Sequence, residues 1–394
     1  MPQLAARLIE EYSSPNDWVV DPFMGSGTTL VEAKLLGRPS VGTDINPVAH
    51  LIARAKTQAI EPEYLAQTIE QVLSSLYNTA QPSLFEELLE KTAISPPEWH
   101  ERLRYWFPES ALQQLAQIQH AINRIPDDSV RTFLACALSH ILKTVSFWHN
   151  RSVKPIRKLN KTTPDARVAF QKHLKRMARG NREFWELLTL HSRLDVPTLP
   201  HCADARTLPL VDESATLVVT SPPYVTSYEY ADLHQLSALW FGRTSNLQEF
   251  RQRFIGRTNN NHARTLELGS TLAERIVAQL AEICPRKARE VALYFSEMAT
   301  CFGEMRRILK PGGYVCIVIG NTNLCGVEAQ NAQVFTEQLD ALGFSIERVI
   351  LREIPSKILP RTRDKTTGKF AKTEEANYIA YPTEYILVAR RACS

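Results

Sequence analysis

Two kinds of hydrophobic spacing divide the chain. Trp18 to Val20, Ser40 to Thr43 and Thr216 to Val219 are short runs of strand length, and the segments after them are rich in Gly, Asn, Ser or Pro. Such runs predict strands buried on both faces. Between Ile60 and Leu194 the spacing becomes helical, with helix starts after Pro62, Pro108 and Pro126, where proline suits the first turn. Val130 to Phe147 is apolar on nearly every side and predicts a buried core helix, whereas Val168 to Leu188 is amphipathic. Further on, a helix is expected over Tyr228 to Trp240, and two last strands, Ser345 to Arg352 and Thr383 to Ala389, are expected to pair antiparallel. The pattern predicts an open α/β sheet formed by residues 1–59 and 196–394, with an inserted all-helical domain over residues 60–195.

The first strand ends at Asp21 and continues through Pro22, Phe23 and Met24 into Gly25, Ser26 and Gly27, ahead of a helix beginning near Thr28 and Thr29. Glycine there lets backbone approach a ligand closely. Leu30 stands where a dinucleotide fingerprint needs a third glycine, and Thr28 replaces the lysine of a phosphate loop, which disfavours nicotinamide and ATP sites. The second strand ends at Asp44, placed for a carboxylate that accepts both hydroxyls of a ribose. Asp21 is assigned either to a cofactor amino group or to ordering the loop. A plain strand-to-helix connection, with Asp21 and Asp44 as helix caps, would use the same residues.

A second segment tells against that plainer account. The third strand runs into Ser221, Pro222, Pro223 and Tyr224, where two prolines fix the backbone and remove its donors. The turn therefore presents acceptors beside an aromatic ring. The exocyclic amine of a nucleobase is a poor nucleophile because its lone pair is delocalised into the ring. Acceptors on its two protons, the Pro222 carbonyl and an oxygen of Ser221, would localise that pair, and Tyr224 would stack on the base, a contact of about 1 to 3 kcal/mol.

With these motifs the chain resembles the amino-directed DNA methyltransferases that use S-adenosylmethionine. Asp21 to Thr29 match the family's first motif, Val41 to Pro47 the second with Asp44, Ile45 and Asn46, His201 to Leu208 the third with Asp204 and Ala205, and Ser221 to Tyr224 the catalytic motif. Phe295 to Ile319 resembles the helix, Lys-Pro-Gly-Gly turn and strand that follow. The resemblance covers the start and the second half of the chain and implies a Rossmann-like methyltransferase sheet, an S-adenosylmethionine site without metal, and direct transfer to an amine. Serine before the two prolines is similar to the cytosine-N4 members. The alternatives are an adenine-N6 enzyme and an enzyme methylating base amines in RNA. Only Pro2 to Ser13 precede the first motif, with Leu4, Leu8 and Ile9 on one helical side; either the true start lies upstream or the pocket is more open.

Charge adds a partner. Net charge is only +4, yet Arg151 to Arg182 holds eleven Lys or Arg against the single acid Asp165. Arg151, Lys154, Arg157, Lys158, Lys161, Lys172, Lys175, Arg176 and Arg179 are candidate phosphate contacts on double-stranded DNA, and Lys357, Arg361, Arg363, Lys365 and Lys369 form a second candidate set in a basic loop between the last two strands. Asn259 to Asn261 are read as loop formers rather than base readers. A flipped target base is implied, because the amine is paired in a duplex. A restriction endonuclease acting on the same site is a candidate partner. The seven cysteines lack paired ligand spacing and none follows a proline, which disfavours zinc, disulfides and a thiolate attacking cytosine carbon 5. They are expected to be free and buried. No membrane-spanning stretch or signal peptide is found, and a cytoplasmic location is expected.

Overall fold

The computed structural model describes residues 2–78, 97–150, 152, 154–225, 230–257, 266–353, 362–363, 378–379 and 383–393. They fall into two compact units, one formed by residues 1–45, 197–229 and 251–394, the other by residues 46–196 and 230–250.

The first unit is built on strands β1 (Val19–Asp21), β2 (Ser40–Asp44), β3 (Thr198–Cys202), β4 (Ala215–Thr220), β5 (Leu309–Ile319), β8 (Phe344–Glu353) and β11 (Thr383–Arg391), in the order β3-β2-β1-β4-β5-β11-β8. Two short antiparallel pairs lie outside the sheet, β6 (Thr322–Leu324) with β7 (Val327–Ala329) and β9 (Thr362–Arg363) with β10 (Tyr378–Ile379). β1 to β5 run parallel, and β11 is antiparallel to both β5 and β8. This is the doubly wound Rossmann-like order with one reversed strand slipped in near its edge. The expected antiparallel pairing of the last two strands is observed.

Alternation along the strands explains the layers. Val20, Val218, Val315, Ile317 and Leu387 point into a core shared with Phe295, Met298, Phe302, Ile276 and Phe335, from the helices Thr271–Ile283, Pro285–Ile308 and Asn331–Ala341. Val19, Leu217, Val219, Cys316, Ile386 and Val388 point the other way, onto Leu8 and Ile9 of the helix Pro2–Tyr12 and Ala33 of the helix Thr28–Leu35. The sheet is thus covered on both sides. One local expectation changes: Lys310 to Gly313 do not separate helix from strand but lie within β5 as a bulge, since Ala215 pairs with Leu309 and Leu217 with Tyr314. The bulge returns so tightly that a Cβ on Gly313 would lie 2.8 Å from the Thr216 carbonyl oxygen.

The second unit is helical, with the cores of the helices Pro62–Asn78, Glu109–Asn123, Asp128–Ile141 and Ala166–Leu190 gathered around Leu112, Leu115, Phe133, Leu134, Leu138 and Phe170. Asp127 and Asp165 cap two of these helices, accepting from Val130 N at 2.9 Å and Arg167 N at 2.8 Å. Asn181 grips Ile60 by both backbone groups, accepting from its N at 3.0 Å and donating to its O at 2.6 Å. The apolar run beyond Ile141 is buried as expected at Leu142 and Val145, but it leaves the helix there and turns.

All seven cysteines are free, but only Cys136, Cys301 and Cys316 are buried, while Cys202, Cys325 and Cys393 are exposed, which corrects the expectation of uniform burial. Among the described residues no helix is long and apolar enough to cross a membrane.

The bulge gives a stability test. Gly313→Ala should cost about 2 kcal/mol in chemical denaturation, because the obstacle is backbone. Gly303→Ala, with nothing within 4 Å of the added carbon, should gain roughly 0.5 to 1 kcal/mol inside its helix.

Candidate functional site

The strand order reverses between β1 and β4, and in open α/β sheets ligands bind outside the carboxyl ends of the strands at such a point. Both sequence motifs end there. β1 and β4 lie side by side, with Val19 opposite Leu217 and Val20 opposite Val218. At the ends of these strands, Thr220 Oγ1 donates to Asp21 Oδ1 at 2.6 Å, joining residues 199 positions apart. The same carboxyl oxygen accepts from Phe23 N at 3.1 Å. Asp21 is buried, and desolvation raises its pKa, opposed by bonds from Thr220, Thr29 and the Phe23 backbone. Of its two suggested roles, this geometry matches ordering of the loop.

The loop itself is tied to β2. Met24 N donates to Thr43 O at 2.9 Å, Thr43 Oγ1 donates to Pro22 O at 2.8 Å, and Gly25 N donates to Asp44 Oδ2 at 3.0 Å. Gly25 and Gly27 have φ of 47° and 76°, the left-handed region that side chains disfavour. A Cβ on Gly25 would meet only Phe23 O at 4.0 Å, so the space beside the loop is open there. Gly27 leaves the helix Thr28–Leu35 without a side-chain cap. Ser26 is exposed, Pro22 and Thr29 are buried, and Ile45 is half-buried.

Ala203 N donates to Asp44 O at 3.1 Å, which brings the Asp204 segment to the same strand end. Asp204 is held by Arg206 Nη2 at 2.6 Å, and Arg206 also pairs with Glu297. Ala205 is buried behind it. Asn46 is committed locally: its Oδ1 accepts from Val48 N at 3.0 Å and caps the helix Pro47–Thr57.

In the proline turn, Pro222 is buried, Pro223 and Tyr224 are half-buried and Ser221 is exposed. Ser221 Oγ donates to Val318 O at 3.1 Å. A hydroxyl has one proton and two lone pairs, so this bond leaves the oxygen as an acceptor toward anything else. Tyr294 Oη donates to Pro223 O at 2.8 Å. The ring of Tyr224 lies against Gly320, where an added Cβ would be 3.6 Å from Cε2, and Asn331 Nδ2 holds the Gly320 carbonyl at 2.8 Å. Sequence reading gave no role to Thr220, which opens the turn segment, and missed Tyr294, Gly320 and Asn331, which support the motifs from outside them. Only Thr220, adjacent to the turn, carried a local signal.

The basic candidates divide. Lys154, Lys158, Lys172, Lys175, Arg176 and Arg179 are exposed, Arg179 beside Glu183 at 3.8 Å. Lys161 donates instead to the carbonyls of Lys143, Ser146 and Trp148, and Arg157 stacks over Tyr105 at 4.1 Å. Arg151, Lys357, Arg361, Lys365, Lys369 and Asn259 to Asn261 lie outside the described residues, and Arg363 is described only as backbone in β9.

Comparison with known proteins finds the following similarities. A family model described as DNA methylase matches residues 2–55. The chain is 28% identical to the type II methyltransferase M.MvaI of Kocuria varians, over 98% of this chain and 89% of that one. It is 26% identical to the type II methyltransferase M.BsoBI of Geobacillus stearothermophilus, over 82% and 72% respectively. A solved SAM-dependent methyltransferase from Methanosarcina mazei aligns over 98% of both chains at 11% identity with a TM-score of 0.35.

Thr220→Val removes one donor from a buried carboxylate and should lower stability by about 1 to 3 kcal/mol at pH 7. Asp21, raised in the fold, penalises folding once ionised, and that penalty fades as pH falls from the folded pKa toward the unfolded value near 3.8. Losing the Thr220 bond raises the folded pKa further. Urea denaturation should therefore show a larger loss at pH 7 than near pH 4.

Proposed function

We propose that this chain is an amino-directed DNA methyltransferase that methylates the exocyclic N4 amine of cytosine in double-stranded DNA, as a type II modification enzyme. The observation that carries this reading is the junction of the two motifs through Thr220 and Asp21, which sets the glycine loop and the proline turn at one end of the sheet. Serine at position 221, where aspartate or asparagine more often accompanies adenine, favours cytosine.

S-adenosylmethionine, when bound, supplies an electrophilic sulfonium methyl whose bond pair passes to sulfur as the new N–C bond forms. Gly25, Ser26 and Gly27 with Phe23, Thr28 and Thr29 would hold it along the open loop, Asp44 and Ile45 would take its ribose and adenine, and Asp204 with Ala205 would bound the adenine. The proline turn handles the target. Ser221 Oγ, its own proton given to Val318 O, accepts one amine proton, and the Pro222 carbonyl accepts the other. Tyr294 occupies the neighbouring Pro223 carbonyl, which steadies the turn and directs the amine to Pro222. Neither acceptor is basic enough to keep a proton at neutral pH, so the proton released by the methylated amine passes to solvent. Tyr224 stacks on the flipped ring. The gain over solution comes mainly from orientation and from acceptors fixed in advance.

Flipping costs a few kcal/mol, which phosphate contacts from the exposed basic residues of the helical unit offset. Lys154, Lys158, Lys172, Lys175, Arg176 and Arg179 are the described candidates for that role. A cognate endonuclease is the expected partner of such an enzyme.

Ser221→Ala should leave the affinity for S-adenosylmethionine within about twofold by calorimetry while lowering turnover by about 10²-fold. DNA from cells expressing the chain should contain N4-methylcytosine by nucleoside mass analysis, and DNA from cells expressing Ser221→Ala should lack it. N6-methyladenine in its place would move the target to adenine. No methylated base in either sample would overturn the reading.

A further inference from the structure

Between the helices Asp128–Ile141 and Ala166–Leu190, the described residues 147–150, 152 and 154–161 form a strap tied together by hydrogen bonds and ring contacts. Its two arms pair as a small hairpin: His149 N donates to Ile156 O at 2.8 Å, Lys158 N donates to Phe147 O at 2.7 Å, and Trp148 bridges Arg157. Trp148, 1% exposed, anchors the strap in the helical core, stacked on Trp106 at 5.4 Å, and its indole N–H donates to Ser152 O at 3.2 Å. Phe147 N donates to Trp106 O at 2.8 Å. Arg157 lies over the rings of Tyr105 at 4.1 Å and Phe147 at 5.3 Å.

The lock at the base is Lys161. Its ammonium donates to three carbonyls, Lys143 O at 2.9 Å, Ser146 O at 2.6 Å and Trp148 O at 2.8 Å. All three of its protons are used, so it is spent on the strap and not on phosphate. Burial, with the Lys143 ammonium nearby, brings it down to about 8, which leaves it mostly charged at neutral pH.

The anchored strap carries two exposed aliphatic residues. Ile156, between the exposed Lys154 and Lys158, is 53% exposed, and Leu159, directly after Lys158, is 65% exposed. Aliphatic side chains left largely in water contribute little to the fold. A preformed loop loses little entropy on binding. Aliphatic residues flanked by cations suit a surface whose charged backbone borders apolar base faces, and apolar side chains are used in this way against base steps.

We propose that the strap Phe147 to Lys161 is a preformed DNA-contacting element in which Ile156 and Leu159 pack against bases of the duplex, Lys154 and Lys158 neutralise the flanking phosphates, and Lys161 is the positioning residue that holds it in shape. The proposal rests on the DNA methyltransferase reading and goes beyond it, because it replaces a general basic surface with a defined reader of opposite internal design: charge outside, aliphatic contact inside.

The test measures binding of the full chain, with S-adenosylhomocysteine, to a fluorescent mixed-sequence duplex of about 30 base pairs across a salt series. Lys154→Ala with Lys158→Ala should flatten the salt slope by about 1.8, two phosphates' worth. Ile156→Ala with Leu159→Ala should weaken binding about tenfold with the slope unchanged, since no counterions are involved. Lys161→Met should produce both losses together and speed tryptic cleavage after Arg157 and Lys158. The Ile156 and Leu159 pair is on the surface, so its result stands even where Lys161→Met fails to fold. Unchanged duplex affinity in that pair overturns the proposal while leaving the methyltransferase reading intact, and so does a loss seen only with single-stranded RNA. If the unmodified chain binds no duplex at any salt, the functional reading falls and the strap's role with it.

Discussion

The bond from Thr220 to Asp21 is the constraint on which the site depends. It sits where the strand order reverses, it is buried, and it joins two segments 199 residues apart at 2.6 Å. Burying a carboxylate costs free energy unless its oxygens are satisfied. Here they are satisfied by the two pieces that must be brought together, the loop through Phe23 and Thr29 and the turn through Thr220. A displaced turn would leave Asp21 short of a donor, so the desolvation cost itself enforces the geometry.

Around this junction several polar groups near the turn are engaged by neighbours outside it. Val318 takes the Ser221 proton, Tyr294 takes the Pro223 carbonyl, and Asn331 holds Gly320 beneath Tyr224. Arg206 keeps Asp204 in place through a pair with Glu297 on the helix Pro285–Ile308. The supports come from a strand and two helices on one side of the sheet, which are themselves packed through Phe295, Phe302 and Phe335. Orientation of the turn is thereby a property of the core, not of the turn alone.

Much of this was legible in the residues. β1, β2 and β4 are short apolar runs with sharp polar ends, and glycine or proline after two of them leaves little choice of continuation. Helix starts at Pro62 and near Pro108 and Pro126 followed from the proline positions, with Asp127 supplying the cap. The supports were not legible, because a donor such as Tyr294 lies 71 residues from its acceptor and looks like any buried aromatic of a helix. Charge counting failed in the same manner at Lys161 and Arg157: a run of basic residues reveals density, but not that one ammonium is spent on three carbonyls or that one guanidinium lies over two rings. The Lys310 to Gly313 turn was placed correctly in sequence and wrongly in kind, since only the pairing partner reveals a bulge.

The claim that one hydrogen bond unites the cofactor loop with the target turn is tested most directly by a double-mutant cycle on methyl transfer to unmethylated DNA, using Asp21→Ala and Thr220→Val. The account predicts that the double variant is no worse than the more damaged single one, because either change breaks the same link. Losses that multiply would mean that the two residues act separately, and would contradict it.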